Sequence, residues 1–82
     1  MPTVVPITRV SPNNRDNRTT FVNKMMSVLQ RHGQIEPLQV KETADGRYVT
    51  FEQDVYGADI LIAARILKWN TILIVVMKRF EY

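Results

Sequence analysis

Cysteine is absent from the 82 residues, which excludes disulfide frameworks, cysteine-ligated zinc, iron–sulfur clusters and thiol nucleophiles together. Histidine occurs once, as His32, so a multi-histidine metal site cannot form. No cluster of Asp and Glu at ligand spacing takes its place, and neither a metal nor a cofactor is expected. Long hydrophobic runs are also lacking. The longest, Ile72 to Met77, is far short of the roughly 20 residues that span a bilayer, so no membrane association is expected. The opening Met1-Pro2-Thr3-Val4-Val5-Pro6 lacks the basic and then apolar regions of a secretion signal, and the expected location is the cytoplasm.

What remains is 45% hydrophobic and 23% charged, the composition of one soluble globular domain over residues 1–82. A chain of this size buries only about 60–65% of the surface it exposes when unfolded, which leaves little room for a deep active site. The net charge of +3 is unevenly placed. In residues 1–35, Arg9, Arg15, Arg18, Lys24 and Arg31 face the single acid Asp16, a net +4, whereas residues 36–82 carry −1. A basic half-domain is the electrostatic footprint of a nucleic-acid or acidic partner, although a solvated surface has the same composition.

Hydrophobic periodicity predicts a compact α/β fold with a mixed sheet in the order β-α-β-β-α-β. Thr3 to Val10 reads as a strand that ends at the turn cluster Ser11-Pro12-Asn13-Asn14. From Thr19 to His32, Phe21, Val22, Met25, Met26, Val28 and Leu29 recur at helical spacing, with Asp16, Asn17 or Thr19 as the cap and Gly33 as the stop. Leu38 to Val40 and Tyr48 to Phe51 form a hairpin about Asp45-Gly46. Asp54 to Trp69 predicts a helix buried on several sides, and Ile72 to Met77 a strand covered on both faces and ended by Lys78-Arg79. The expected core is Phe21, Met25, Leu29, Leu38, Val40, Ile60, Ala64, Leu67, Ile72, Ile74 and Val76. The second helix is expected to join Tyr48–Phe51 to Ile72–Met77 as parallel strands, which puts a ligand site at the strand-to-helix junction, Phe51 to Asp59.

Several stretches, taken in order, carry a resemblance. Ile7-Thr8-Arg9-Val10-Ser11-Pro12-Asn13-Asn14-Arg15 opens it, and Leu29 to Val40 follows, in which a helix ends at Gly33 and a strand begins after Pro37. Gly46-Arg47-Tyr48, Gly57, Ala63-Ala64-Arg65-Ile66-Leu67 and Trp69-Asn70-Thr71-Ile72 complete it. The set resembles the N-terminal domain of ParB-type partition proteins, the ParB/sulfiredoxin or ParB-like nuclease family, over nearly the whole chain. The resemblance implies a phosphate-binding glycine at Gly57, followed by an acid and two arginines in ParB proteins or by a catalytic cysteine, a histidine and an arginine in sulfiredoxins. Here Ala58, Asp59 and Ile60 follow, so sulfiredoxin chemistry is excluded and the nucleotide motif is degenerate. Gly33, Glu36 and Pro37 keep the segment that faces the nucleotide, with Glu36 where partition proteins often carry glutamine, and Arg15 holds the early arginine position.

The leading expectation is a non-catalytic ParB-like module in the DNA transactions (partition, transfer or regulation) of a plasmid, phage or other mobile element. Its contacts would be non-specific and to phosphate, through Arg9, Arg15, Arg18, Lys24 and Arg31, because no helix-turn-helix is expected after Tyr82. Two alternatives stand beside it. One is a protein-interaction module, for which Met25 and Met26 would line a groove. The other is a residual metal-dependent nuclease or nucleotide hydrolase using Glu52, Asp54, Asp59 and Arg15, although Asp54 is also placed to cap a helix and His32 to favour a helix end. The oligomeric state is not readable.

Overall fold

One short segment, Thr3 to Ser11, supplies both edges of the sheet. The computed structural model describes residues 2–13, 19–52 and 54–77. Strand β1 is Thr3–Pro6, a 3-10 turn spans Ile7–Arg9, and β2 is Val10–Ser11. Helix α1 is Thr19–His32, β3 Leu38–Glu42, β4 Tyr48–Thr50, α2 Val55–Ile66 and β5 Thr71–Val76. The five strands lie in the order β1-β5-β3-β4-β2. In a flat sheet the two edges would be about 19 Å apart, four strand spacings, but the four residues from Pro6 to Val10 reach only about 14 Å. The mixed sheet is therefore curled. Where one strand was expected from Thr3 to Val10, the turn at Ile7–Arg9 divides it, and the Ile7 N–H bonds to the Asn70 carbonyl at 3.0 Å, one register step beyond the last β1–β5 pair, Pro6 with Thr71.

Helix α1 has the predicted limits. It buries Val22, Met25 and Leu29, and the Gly33 N–H closes it on the Leu29 carbonyl at 2.9 Å with Gly33 at φ +69°. Phe21 is 42% exposed, because it lies one position off the stripe that faces the core, and is not a core residue. The caps suggested at Asp16 and Asn17, and the closing Lys78-Arg79, lie outside the described residues.

The β3–β4 hairpin turns where expected. The Thr43 N–H bonds to the Arg47 carbonyl at 2.8 Å, and Gly46 at φ +81° donates to the Thr43 carbonyl at 3.1 Å. The Thr43 hydroxyl donates to the Asp45 carboxylate, which holds that carboxyl below its ordinary range. The expected parallel pairing of the last two strands is not formed. Strand β4 is antiparallel to β3 and β3 is parallel to β5, so β4 and β5 run in opposite directions. Both sides of β4 are occupied, by β3 and by β2, and β5 can join only on the free side of β3.

Helix α2 is buried on several sides, as its composition requires. Ala58, Leu61, Ala63 and Ala64 are all buried, and the alanines allow close approach. The helix ends earlier than the predicted Trp69. The Trp69 N–H reaches the Ala64 carbonyl and the Lys68 N–H the Arg65 carbonyl, each at 3.0 Å, a Schellman closure in which Lys68 takes φ +63°.

The core comprises Val5, Ile7, Val10, Val22, Met25, Leu29, Leu38, Val40, Leu61, Ala63, Ala64, Ile72 and Ile74. Ile60 and Leu67 are only half-buried against it. Val76 has the inward parity of Ile72 and Ile74 but ends its strand and is 39% exposed. Thr50 is buried with its hydroxyl oxygen accepting the Asn13 N–H at 3.0 Å.

Leu61→Ala is expected to destabilise the fold by about 2–5 kcal/mol, while Ile66→Ala in the same helix, at an exposed position, changes it by less than about 1 kcal/mol. Equal urea midpoints for the two variants would show that α2 is oriented otherwise. Lys68→Gly is expected to stabilise by about 0.5–1 kcal/mol, since glycine relieves the left-handed backbone at a small entropic cost. A thermal scan showing a lower Tm for this variant would contradict the strained closure.

Candidate functional site

The end of α1, the segment from Gly33 to Pro37 and the start of α2 converge on two adjoining cavities. The larger, about 320 Å³, is lined by Met25, Val28, Leu29, Gly33, Gln34, Ile35, Glu36, Tyr56 and Ile60. The smaller, about 210 Å³, runs from Glu36, Pro37, Leu38 and Gln39 to Asp54, Tyr56, Gly57 and Ile60. Glu36, Tyr56 and Ile60 border both. Five of the expected site residues, Gly33, Glu36, Pro37, Gly57 and Ile60, are thus gathered in one place. Ala58 and Asp59 are not, each being 2% exposed. Positions 57 and 60 lie three apart and share the helix face toward the groove, whereas 58 and 59 are rotated by roughly 100° and 200° into the body of the protein. Asp59 therefore does not stand at the mouth of the site, where the sequence had placed its charge.

The segment ahead of β3 is held by Gln34. Its Oε1 accepts the Leu73 N–H at 2.8 Å, and its Nε2 donates to the Leu73 carbonyl at 2.7 Å and to the Glu36 carbonyl at 3.1 Å. The side-chain amide acts as one extra rung of the parallel β3–β5 ladder, because a primary amide has the same donor and acceptor pair as a peptide. Sequence reasoning missed this role, and also missed Tyr56 and Ile35. The available signal for Gln34 was its place between a helix-ending glycine and a strand-opening proline.

The start of α2 is closed by its own carboxylate. Asp54 Oδ1 accepts the Gly57 N–H at 2.8 Å, the N-cap that the sequence suggested. A Cβ on Gly57 would lie 2.9 Å from Asp54 Cγ, so the absence of a side chain at Gly57 makes room for the cap. The Gly57 backbone amide is thus already paired to an internal anion.

This architecture has solved counterparts. A sulfiredoxin from Arabidopsis thaliana superposes with a TM-score of 0.76 at 24% identity, covering 96% of this chain and 86% of that one. The C-terminally truncated chromosome-partitioning protein ParB from Caulobacter crescentus, complexed with CTP-gamma-S, superposes with a TM-score of 0.78 at 18% identity, covering 99% of this chain. The chain has the ParB/sulfiredoxin fold. It spans about half of that ParB structure, 46% of its length. No protein-family model and no curated protein sequence matches the chain.

Within the ParB/sulfiredoxin fold, the groove here is acidic and apolar. Among the described residues its lining includes Glu36 and Asp54 and no Lys, Arg or His. The basic residues lie elsewhere: Arg9 is exposed on the 3-10 turn, and Lys24 and Arg31 are exposed on α1, seven positions apart and so on one face. Helix α1 carries no acid at all. Arg15 and Arg18 lie outside the described residues. Of the acids considered for hydrolysis, Asp59 is buried, Asp54 caps α2 and Glu52 is exposed. Among the described residues no three His, Asp or Glu come together at metal-binding distance, and no helix is long and apolar enough to cross a membrane.

Asp54→Ala is expected to lose about 1 kcal/mol of stability through the cap. In that background Gly57→Ala becomes stabilising by roughly 0.5–1 kcal/mol, whereas in the unaltered chain the crowding against Asp54 cancels or reverses the gain. A double-mutant cycle in urea checks this, and additive effects would mean that the carboxylate does not sit over Gly57.

Proposed function

We propose that this chain is a non-catalytic binding module that works in the cytoplasm as one domain, in the DNA transactions of a plasmid, phage or other mobile element. It holds the phosphate backbone without reading sequence, through Lys24 and Arg31 on α1 together with Arg9, Arg15 and Arg18. The observation that carries this reading is the division of charge: an acid-free helix exposing Lys24 and Arg31 on one side, and on the other a groove lined, among the described residues, by no cation.

Three features support the absence of nucleotide chemistry. The amide of Gly57 is bonded to Asp54, Ala58, which the resemblance aligns with the sulfiredoxin cysteine, is buried, and a triphosphate in the groove would meet Glu36 and Asp54. The ParB neighbour is complexed with CTP-gamma-S; the groove proposed to correspond to its site is lined, among the described residues, by no cation that would neutralise such a ligand. Losing charge-assisted bonds of about 1.5–3 kcal/mol each moves a micromolar affinity beyond detection.

Two titrations test the proposal. CTP and ATP at millimolar concentration, with and without magnesium, are expected to give no saturable amide shifts at Gly33 or Gly57. Duplex DNA is expected to bind with an affinity that falls with added salt, the log–log slope decreasing by roughly one for each of Arg15, Arg18, Lys24 and Arg31 changed to Ala. Salt-independent binding, or no effect of the combined substitutions, would remove the basic face from the function, and saturable nucleotide shifts would restore the enzyme reading.

A further inference from the structure

The groove has more apolar surface on display than a charge-repelling remnant needs. Ile35 is 70% exposed and Tyr56 63% exposed, and both stand on the rim of the larger cavity, whose floor is Met25 and Leu29. Large side chains held open around a concavity mark a surface that another molecule covers. The smaller cavity, reached past Tyr56 and Ile60, has Glu36 and Asp54 on its walls. The chain is net positive, yet among the described residues this groove is lined by two acids, Glu36 and Asp54, and no base.

We infer that the groove docks an extended segment of a partner protein in which an apolar side chain enters the larger cavity and a lysine or arginine, two residues away, enters the smaller one. Alternate residues of an extended chain point to the same side about 6.6–7 Å apart, which suits two adjoining cavities that share a wall. The cation meets Glu36, the face of the Tyr56 ring and the remaining lone pairs of Asp54, one of whose oxygens stays on the Gly57 amide. Met25 adapts the larger cavity to leucine, methionine or phenylalanine. A peptide backbone across the rim also covers Ile35, which a small free cation in the acidic cavity would leave in water. The groove is formed without Arg9, Lys24 or Arg31 and its test does not use DNA, so this site and the DNA reading can fail separately.

The test uses the full chain, isotopically labelled, titrated with a capped heptapeptide of glycine and serine carrying one leucine and, two positions on, one arginine. Saturable amide shifts are expected at Gly33, Ile35, Glu36 and Tyr56, with a Kd of roughly 0.1–1 mM. A matched peptide with glutamate in place of arginine should bind at least about ten-fold more weakly, as should the arginine peptide to Glu36→Lys. Should Glu36→Lys fail to fold, Glu36→Gln is expected to weaken binding by about three-fold, in the range of one partly exposed charge pair. Equal binding of the two peptides, shifts elsewhere on the surface, or no shift at about 5 mM peptide would overturn the proposal. So would saturation by N-acetylarginine amide alone at the peptide's affinity, which would make this a small-cation site, or self-association that Glu36→Lys abolishes, which would make it a contact between copies.

Discussion

Everything in this molecule follows from the demand that Thr3 to Ser11 serve two sheet edges at once. Four residues cannot bridge the width of a flat five-stranded sheet, so the sheet curls until Pro6 beside Thr71 and Val10 beside Tyr48 lie within reach of each other. Two bonds from the end of α2 hold the connection in place: the Asn70 carbonyl accepts the Ile7 N–H, and the Arg65 guanidinium donates to the Val10 carbonyl. Curling also places Val5, Ile7 and Val10 in the same core as Ile74 and Leu61, so one strand's irregularity becomes the centre of the packing.

Beyond the curl, the groove is shaped by two local substitutes for external partners. Gln34 supplies with its side chain the peptide that β3 does not yet provide to Leu73, and so sets the height of Glu36 and Pro37 above the sheet. Asp54 supplies the anion that the start of α2 would otherwise attract. The Gly57 amide is thereby satisfied from within, and the groove beside it is lined by Glu36 and Asp54. The exposed Lys24 and Arg31 on α1 and the acidic groove at its end give the small domain two faces of opposite sign, which salt screens from each other over roughly 10 Å.

The fold class and most element boundaries were legible in the sequence because they depend on interactions within a few residues. The apolar spacing from Val22 to Leu29, the left-handed glycines at 33 and 46, the turn at Asp45 and the cap by Asp54 are all local, and all appear where the pattern puts them. The residues of the groove were legible in part: Gly33, Glu36, Pro37, Gly57 and Ile60 come together, but only their resemblance to a known motif linked them.

Long-range pairing decided the rest. That β5 joins β3 and not β4 depends on β2 already occupying the other side of β4, which no window of sequence contains. That Asp59 is buried while Tyr56 stands open depends on how α2 is rotated against its neighbours, a rotation shared by a helix with apolar residues on every side and so not marked by its periodicity. The sequence by itself determined the helices, the turns and the sign of the charge along the chain. Strand order, curl and the meeting of Glu36 with Asp54 at the groove were decided only by the tertiary structure, because each depends on which distant segments compete for the same edge or face.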